Sequence, residues 1–425
     1  MHTTTSSLIL RIALFLLVLI AVDLYAFRGV KSGFSFIQSQ RTQQIISLSY
    51  WGVNILFLIG VVYVLVTFNK YAGPQPGLFP FLMGTFILLF VPKLIMVLFL
   101  LLEDVGRVLR AAGIGIGKLT SDNFANTPFF EGRRKFIGQL GLIAGSIPFI
   151  SILYGVTKGK YNYKIHRSTI KFKDLPEAFD GLTITQISDL HVGSFDDEQA
   201  VQHAIDLINK QKSDLLVFTG DLVNNFAHEM EPWIQKFKQL SAPMGLYSIL
   251  GNHDYGDYAS WESDEAKAAN MVRLKEIHKE LGFRLMLNEN ISVQKNGQQF
   301  SLIGMENWGN GGFAKYGDLK KSLIGVDKDA FKILLSHDPS HWETETLNYP
   351  THIHLTLAGH THGMQFGIEI PGIKWSPVKY RYPKWAGLYE EKNKYLYVNR
   401  GLGFIGFPGR VGIWPEITVI TLQKA

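Results

Sequence analysis

Four long apolar runs in the first 156 residues, Leu8–Phe27, Ile45–Phe68, Leu78–Leu102 and Phe136–Val156, constrain this chain more than any other feature. Each approaches or exceeds the roughly 20 residues an α-helix needs to cross about 30 Å of hydrocarbon. Residues 1–156 are therefore expected to form a transmembrane anchor of about four helices. Pro92-Lys93 interrupts the third run, and Gly138, Gly141, Gly145 and Pro148 interrupt the fourth. A buried helix of a soluble domain is the alternative for the fourth.

The net charge of +6 is unevenly placed. Residues 1–156 carry 12 Lys and Arg against 5 Asp and Glu, and the remainder carries 30 against 31. The basic excess sits in the apolar part, where it sets membrane topology rather than binding a polyanion, so nucleic acid is disfavoured as a partner. Arg28, Lys31 and Arg41 follow the first span, Lys70 alone follows the second, and Arg107, Arg110, Lys118, Arg133, Arg134 and Lys135 follow the third. Positive loops remain cytoplasmic, which predicts a multi-pass protein of the cell membrane with its C-terminal portion outside the cytoplasm. Lys158, Lys160, Lys164 and Arg167 beyond the fourth span pull the other way. Arg133-Arg134-Lys135-Phe136-Ile137 reads either as a twin-arginine export signal or as a stop-transfer cluster, and without a small-residue cleavage pattern after it an uncleaved anchor is expected. The chain has no cysteine, which excludes a disulfide framework, thiolate zinc sites and a cysteine nucleophile. Any metal must be held by His, Asp, Glu or Asn, and 12 of the 13 histidines follow residue 160.

From about Tyr161 short β-rich runs alternate with helix-patterned segments at Asp197–Lys210, Glu229–Leu240 and Glu262–Leu281, the signature of a layered α/β domain over residues 157–425. Five runs end in polar residues of one kind. Leu182–Ser188 leads into Asp189-Leu190-His191, and Asp214–Thr219 into Gly220-Asp221. Gly245–Leu250 leads into Gly251-Asn252-His253-Asp254, Phe331–Ser336 into His337, and Ile353–Ala358 into Gly359-His360-Thr361-His362. The carboxyl ends of strands are where open α/β sheets bind ligands. Residues two apart project to the same side of an extended segment, so Asp189 with His191, and His360 with His362, can address one point. A lone histidine at a strand end is more often structural, and a lone Gly-Asp is usually a turn; the signal is all five in this order.

With these residues the chain resembles the calcineurin-like metallophosphoesterase superfamily over roughly Tyr163–Leu422. Ile187–Gly193, Gly359–Gln365, Tyr397–Gly403 and Pro415-Glu416-Ile417 are similar to the membrane-associated phosphodiesterases of the YkuE and YaeI type, and distantly to UDP-2,3-diacylglucosamine pyrophosphatases. The chain departs from that branch at Met364 of Gly363-Met364-Gln365 and at Glu306 of Gly304-Met305-Glu306-Asn307, beside the presumed pocket.

The resemblance implies a four-layer α/β/β/α sandwich after the transmembrane region. It implies one divalent ion on Asp189, His191 and His362, a second on Asn252, His337 and His360, and Asp221 bridging them. Mn, Fe or Zn suits such oxygen and imidazole ligands. Ions about 3.5–4 Å apart lower the pKa of a shared water and present it in line to phosphorus. His253 would protonate the leaving oxygen or stabilise the transition state, and Asp254 would either orient it or hold the turn. The implied activity is hydrolysis of phosphodiesters or pyrophosphates of lipid-linked or membrane-proximal substrates, with membrane lipids as the surroundings and no protein partner predictable. The alternatives are a broad phosphomonoesterase or nucleotide phosphodiesterase, and, from another class, a non-catalytic membrane sensor.

Other residues take plainer readings. His352 and His354 are assigned to a strand face, and His203, His228, His278 and His341 to the surface. Asp338 either supports His337 or does not, and Arg400 and Arg410 either contact phosphate or serve their loops. The aromatic and basic stretch Trp375–Trp385 reads as a structural loop, a face on phospholipid headgroups or a base-stacking platform; the neutral charge of the domain argues against the last.

Overall fold

Four helices account for the apolar runs: α1 (Thr5–Gly33), α2 (Gln40–Thr67), α3 (Leu78–Lys118) and α4 (Arg133–Thr157). In this computed structural model residues 5–67, 78–118, 132–310, 312–313 and 315–425 are described; Phe68, at the end of the second run, and Lys70 lie outside them. All four helices are long and apolar enough to cross a membrane. Most extend past the apolar run that predicts them, because flanking polar residues can continue the helical hydrogen bonding once the run has begun it. The glycines and prolines of the third and fourth runs do not break their helices. A Cβ on Gly145 would lie 3.0 Å from the carbonyl oxygen of Pro92, so this glycine marks a close crossing of α3 and α4. Within the same unit Lys93 Nζ meets Asp23 Oδ1 at 2.6 Å and also bonds Asn54, so the polar groups of three helices satisfy one another.

The chain divides into two compact units, the described residues up to Leu153 and the span Tyr154–Ala425. The second unit holds two six-stranded mixed sheets. The first sheet has the order β1 (Lys164–Phe172), β14 (Glu416–Lys424), β2 (Thr183–Ile187), β3 (Leu215–Phe218), β4 (Leu246–Ser248), β5 (Phe283–Leu285). Only the β14–β2 pair in it is antiparallel. The second sheet has the order β12 (Gly387–Glu391), β13 (Lys394–Val398), β9 (Leu355–Ala358), β8 (Lys332–Leu335), β7 (Gln298–Gly304), β6 (Glu289–Lys295). Its outer pairs are antiparallel and its inner pairs parallel. A separate hairpin pairs β10 (Ile368–Ile370) with β11 (Ile373–Trp375).

Strands β3, β8 and β9 are buried at every position, which is why they read as unbroken apolar runs rather than alternating ones. The sheets pack face to face through one core in which Ile184, Leu215, Val217 and Ile420 meet Phe300, Ile333, Leu335 and Leu357. The outer face of the first sheet is covered by α5 (Glu198–Lys210), α6 (Ile234–Phe237) and α7 (Asp264–Glu280) through Val201, Ile205, Phe237, Leu274 and Ile277. The short α8 (Leu319–Ser322) and α9 (Ser340–Thr344) help cover the second. This is the α/β/β/α sandwich implied by the resemblance.

Asp197 caps α5 by accepting the amides of Gln199 and Ala200, and Ser263 caps α7 by accepting that of Ala266. The helix expected over 229–240 is instead a 3-10 segment, Ala227–Trp233, followed by the single turn α6. Pro232, which has no amide hydrogen, prevents a regular helix there.

Candidate metal centre

The strands that converge here come from both sheets. Asp189 and His191 leave the end of β2, Asp221 follows β3, and Asn252, His253 and Asp254 follow β4. His337 leaves the end of β8, and His360 and His362 leave the end of β9. A Cβ on Gly359 would meet Ser188 Oγ at 2.0 Å and Asp189 Oδ2 at 2.3 Å, so only glycine lets the end of β9 come this near the end of β2.

The side chains form two groups, Asp189 with His191 and His362, and Asp221 with His337 and His360. Nε2 of His362 is 3.3 Å from Asp189 Oδ1. Asp221 Oδ2 stands between the groups, 3.4 Å from His191 Nε2 and 3.2 Å from His337 Nε2. Asn252 Oδ1 lies 2.9 Å from His360 Nδ1, which brings the seventh expected ligand into the second group. Asp189, His191, Asp221, Asn252, His337 and His362 are all buried.

Nε2 of His191, His337 and His362 is buried without a hydrogen-bond partner among the described residues. A buried polar atom left unsatisfied costs about 1–3 kcal/mol, so three imidazole nitrogens aimed at carboxylate oxygens need something between them. His337 Nδ1 lies 2.7 Å from the carbonyl oxygen of Thr219, an acceptor only. Nδ1 must therefore carry the hydrogen, which leaves Nε2 as the ligand atom. Burial opposes charge on His337, but the Asp221 carboxylate outweighs it and lifts the imidazole to about 10. Burial likewise works against charge on Asp221, yet the facing His337 and His253 hold it well below the usual carboxylate range. Burial pushes Asp189 up to about 6 and holds His191 near 3 and His360 near 4. Four imidazoles, two carboxylates and an amide oxygen, with no thiolate, fit two divalent cations of the Mn, Fe or Zn kind.

His253 lies at the edge of the two groups. Its ring is 4.9 Å from that of His191, its backbone amide donates to Asp221 Oδ1 at 2.8 Å, and its Nδ1 donates to the carbonyl of Asn224 at 2.8 Å. Asp254 makes no hydrogen bond to that imidazole among the described residues. Its buried carboxylate accepts the amides of Gly251, Asp221, Leu222 and Val223 instead, joining the loops after β3 and β4. Of its two expected roles the geometry supplies the structural one.

Several partners escape a reading of motifs. Tyr382 bonds His360 Nε2 at 2.8 Å, and Tyr258 accepts from Asn252 Nδ2 at 3.0 Å. Tyr382 belongs to the aromatic and basic stretch noted above, but nothing in its spacing points to the centre. Asp338 makes no side-chain hydrogen bond to His337 among the described residues: its Oδ1 accepts from Ser340, while its unpartnered Oδ2 is 3.8 Å from His360 Nε2. Arg400 and Arg410 are both buried and committed. The first is paired with Glu416 and Glu369; the second binds the carbonyls of Arg400, Gly401 and Gly403 and lies 3.1 Å from His362 Nδ1. Neither guanidinium is offered to a phosphate. His278 and His341, expected at the surface, are buried against Ser248 and Ser336.

Two family models match the chain. One for calcineurin-like phosphoesterases covers residues 182–364, and one described as a probable calcineurin-like phosphoesterase, transmembrane domain, covers residues 6–160. The chain is 31% identical over 300 residues to the uncharacterized metallophosphoesterase YkuE of Bacillus subtilis, spanning 69% of this chain and 98% of that one. It is 26% identical over 295 residues to a transmembrane protein with metallophosphoesterase domain of Danio rerio, spanning 67% and 63%. It is 28% identical over 279 residues to the UDP-2,3-diacylglucosamine pyrophosphatase LpxG of Chlamydia trachomatis, spanning 54% and 81%.

Proposed function

This chain belongs to the calcineurin-like phosphoesterases and is a membrane-associated phosphoester hydrolase; from that premise we propose that it cleaves phosphodiesters or pyrophosphates of lipid-linked or membrane-proximal substrates at a centre of two divalent cations. The observation that carries the dinuclear reading is Asp221 Oδ2, within 3.4 Å of an unpartnered nitrogen in each group. Asp189, His191 and His362 would hold one cation and Asn252, His337 and His360 the other. Two such ions, when bound, supply positive charge for the phosphoryl oxygens and an activated water as nucleophile.

The chain's own residues do the rest. Asn224 fixes the hydrogen of His253 on Nδ1, so Nε2 is the atom that passes a proton to the leaving oxygen. The Tyr382 hydroxyl holds the His360 ring. Asp254 keeps two ligand loops in register through their amides.

The lipid-linked substrate class is supported by the transmembrane part and by the likeness to the UDP-2,3-diacylglucosamine pyrophosphatase of Chlamydia trachomatis. Residues 1–156 serve as the anchor and 157–425 as the catalytic domain, and the distribution of Lys and Arg supports a location outside the cytoplasm; protease protection in sealed vesicles tests that location, and a domain shielded inside inverted vesicles agrees with it. The substrate test is turnover of short-chain lipid pyrophosphates and bis-p-nitrophenyl phosphate beside p-nitrophenyl phosphate. The reading expects the first two to be hydrolysed faster, and a marked monoester preference would replace it with a broad phosphomonoesterase.

A further inference from the structure

The hairpin β10–β11 faces the opposite way to a hairpin of a water-soluble domain. In its register Ile368 stands opposite Trp375 and Ile370 opposite Ile373, with Glu369 and Lys374 paired between them. Successive strand residues point to opposite faces, so the four apolar side chains share one face and the two charged ones the other. The charged side chains reach back to the domain, with Glu369 half-buried and Lys374 still exposed. Glu369 accepts from Arg400 Nε at 2.9 Å, and Lys374 bonds the carbonyl of Ala386 with its ammonium 5.0 Å from the ring centroid of Trp385. The apolar side turns outward, with Ile368, Ile370 and Ile373 between 50% and 56% exposed and Trp375 38% exposed. Antiparallel strands that face water put polar residues outside.

What lies beside the hairpin says what covers this face. α4 is one of the helices able to cross a membrane, and its last turn packs within the second unit. The carbonyl of Gly155 accepts the amide of Arg410 at 3.1 Å, and the ring of Tyr154 lies 5.7 Å from that of Trp414. The next residue, Val411, pairs with Phe366 and accepts the amide of Gly367 at 2.9 Å, immediately before β10 begins. The end of a membrane helix and the root of the hairpin are thus held by adjacent residues of one loop. Just past β11, Lys379 and Tyr380 are exposed, the tyrosine at 77%. We propose that β10–β11 docks into the bilayer interface, its isoleucines at the acyl boundary, Trp375 and Tyr380 among the headgroups and Lys379 toward anionic lipid.

Ser376, directly after β11, bonds the carbonyl of Gly363 at 2.7 Å, one residue beyond His362. A docked hairpin therefore holds the metal centre at the membrane surface, where it meets substrates embedded in lipid. This consequence for substrate rests on the phosphoesterase reading; the docking itself does not.

With no native cysteine, the full chain accepts single nitroxide labels at Ile370→Cys, Ile373→Cys and, as an exposed reference, Lys328→Cys. In proteoliposomes of phosphatidylcholine and phosphatidylglycerol, the labels at 370 and 373 are expected to be relaxed by oxygen and shielded from a water-soluble nickel chelate, and the label at 328 the reverse. Equal access of the chelate to all three overturns the proposal. So does strong spin coupling between copies without preference for oxygen, which assigns the face to a second copy. Ile370→Asp combined with Ile373→Asp is expected to lower turnover of a lipid pyrophosphate in vesicles about tenfold and to leave bis-p-nitrophenyl phosphate turnover unchanged. Equal loss on both substrates overturns the link to lipid substrates. Absence of turnover by the unaltered chain would sink the phosphoesterase reading and leave the nitroxide result standing.

Discussion

Asp189, His191, Asp221, His360 and His362 all sit on left-handed backbone, with φ between 47° and 73°. For residues with a Cβ this conformation costs of order 1–2 kcal/mol each, and it persists where the surroundings over-determine it. Here it turns five side chains from the ends of three strands, β2, β3 and β9, back toward one point, so local strain is exchanged for convergence. His253 is different: its ring makes one hydrogen bond among the described residues, to the carbonyl of Asn224, and its bond to Asp221 runs through the backbone amide. Replacing His253 by Asn keeps that amide bond. The expected outcome is a fall in kcat of about 10²- to 10⁴-fold with metal content unchanged at two per chain. Metal analysis beside single-turnover kinetics checks this, and loss of metal would make His253 a ligand.

At the scale of elements, the loops after β3 and β4 are joined by one carboxylate. Asp254 accepts four backbone amides, and Asp254→Ala leaves them buried and without that acceptor. The expected cost is roughly 3–5 kcal/mol, or a thermal midpoint lower by about 10 °C, together with weaker metal binding. A midpoint within 2 °C of the unaltered chain's would remove Asp254 from this role. The elements themselves were legible to different degrees. The strands that carry the candidate ligands read clearly because covered parallel strands are apolar throughout and stop at a glycine or a polar residue. The pairing of β1 with β14, about 250 residues away in the chain, leaves no local trace. Nor does Tyr382 at His360, or the burial of His278 and His341, because each depends on which loops and strands meet in three dimensions. The hairpin β10–β11 alternates as a strand should, but sequence alone does not tell which face turns outward.

At the scale of the molecule, a set of membrane spans is joined to a sandwich whose two sheets contribute candidate ligands to one centre. Neither sheet holds a complete set: β2, β3 and β4 supply Asp189, His191, Asp221 and Asn252, while β8 and β9 supply His337, His360 and His362. Cation binding should therefore couple to the packing of the sheets, and removal of metal by a chelator is expected to lower the thermal midpoint as well as abolish turnover. Whether Asp221 joins two cation sites is decided by the metal content of the purified full chain and of its Asp221→Ala variant after equilibration with Mn²⁺ and gel filtration. Two ions per chain are expected, and fewer than one in the variant; two ions retained by the variant, or none bound by the unaltered chain, would overturn the bridging role of Asp221.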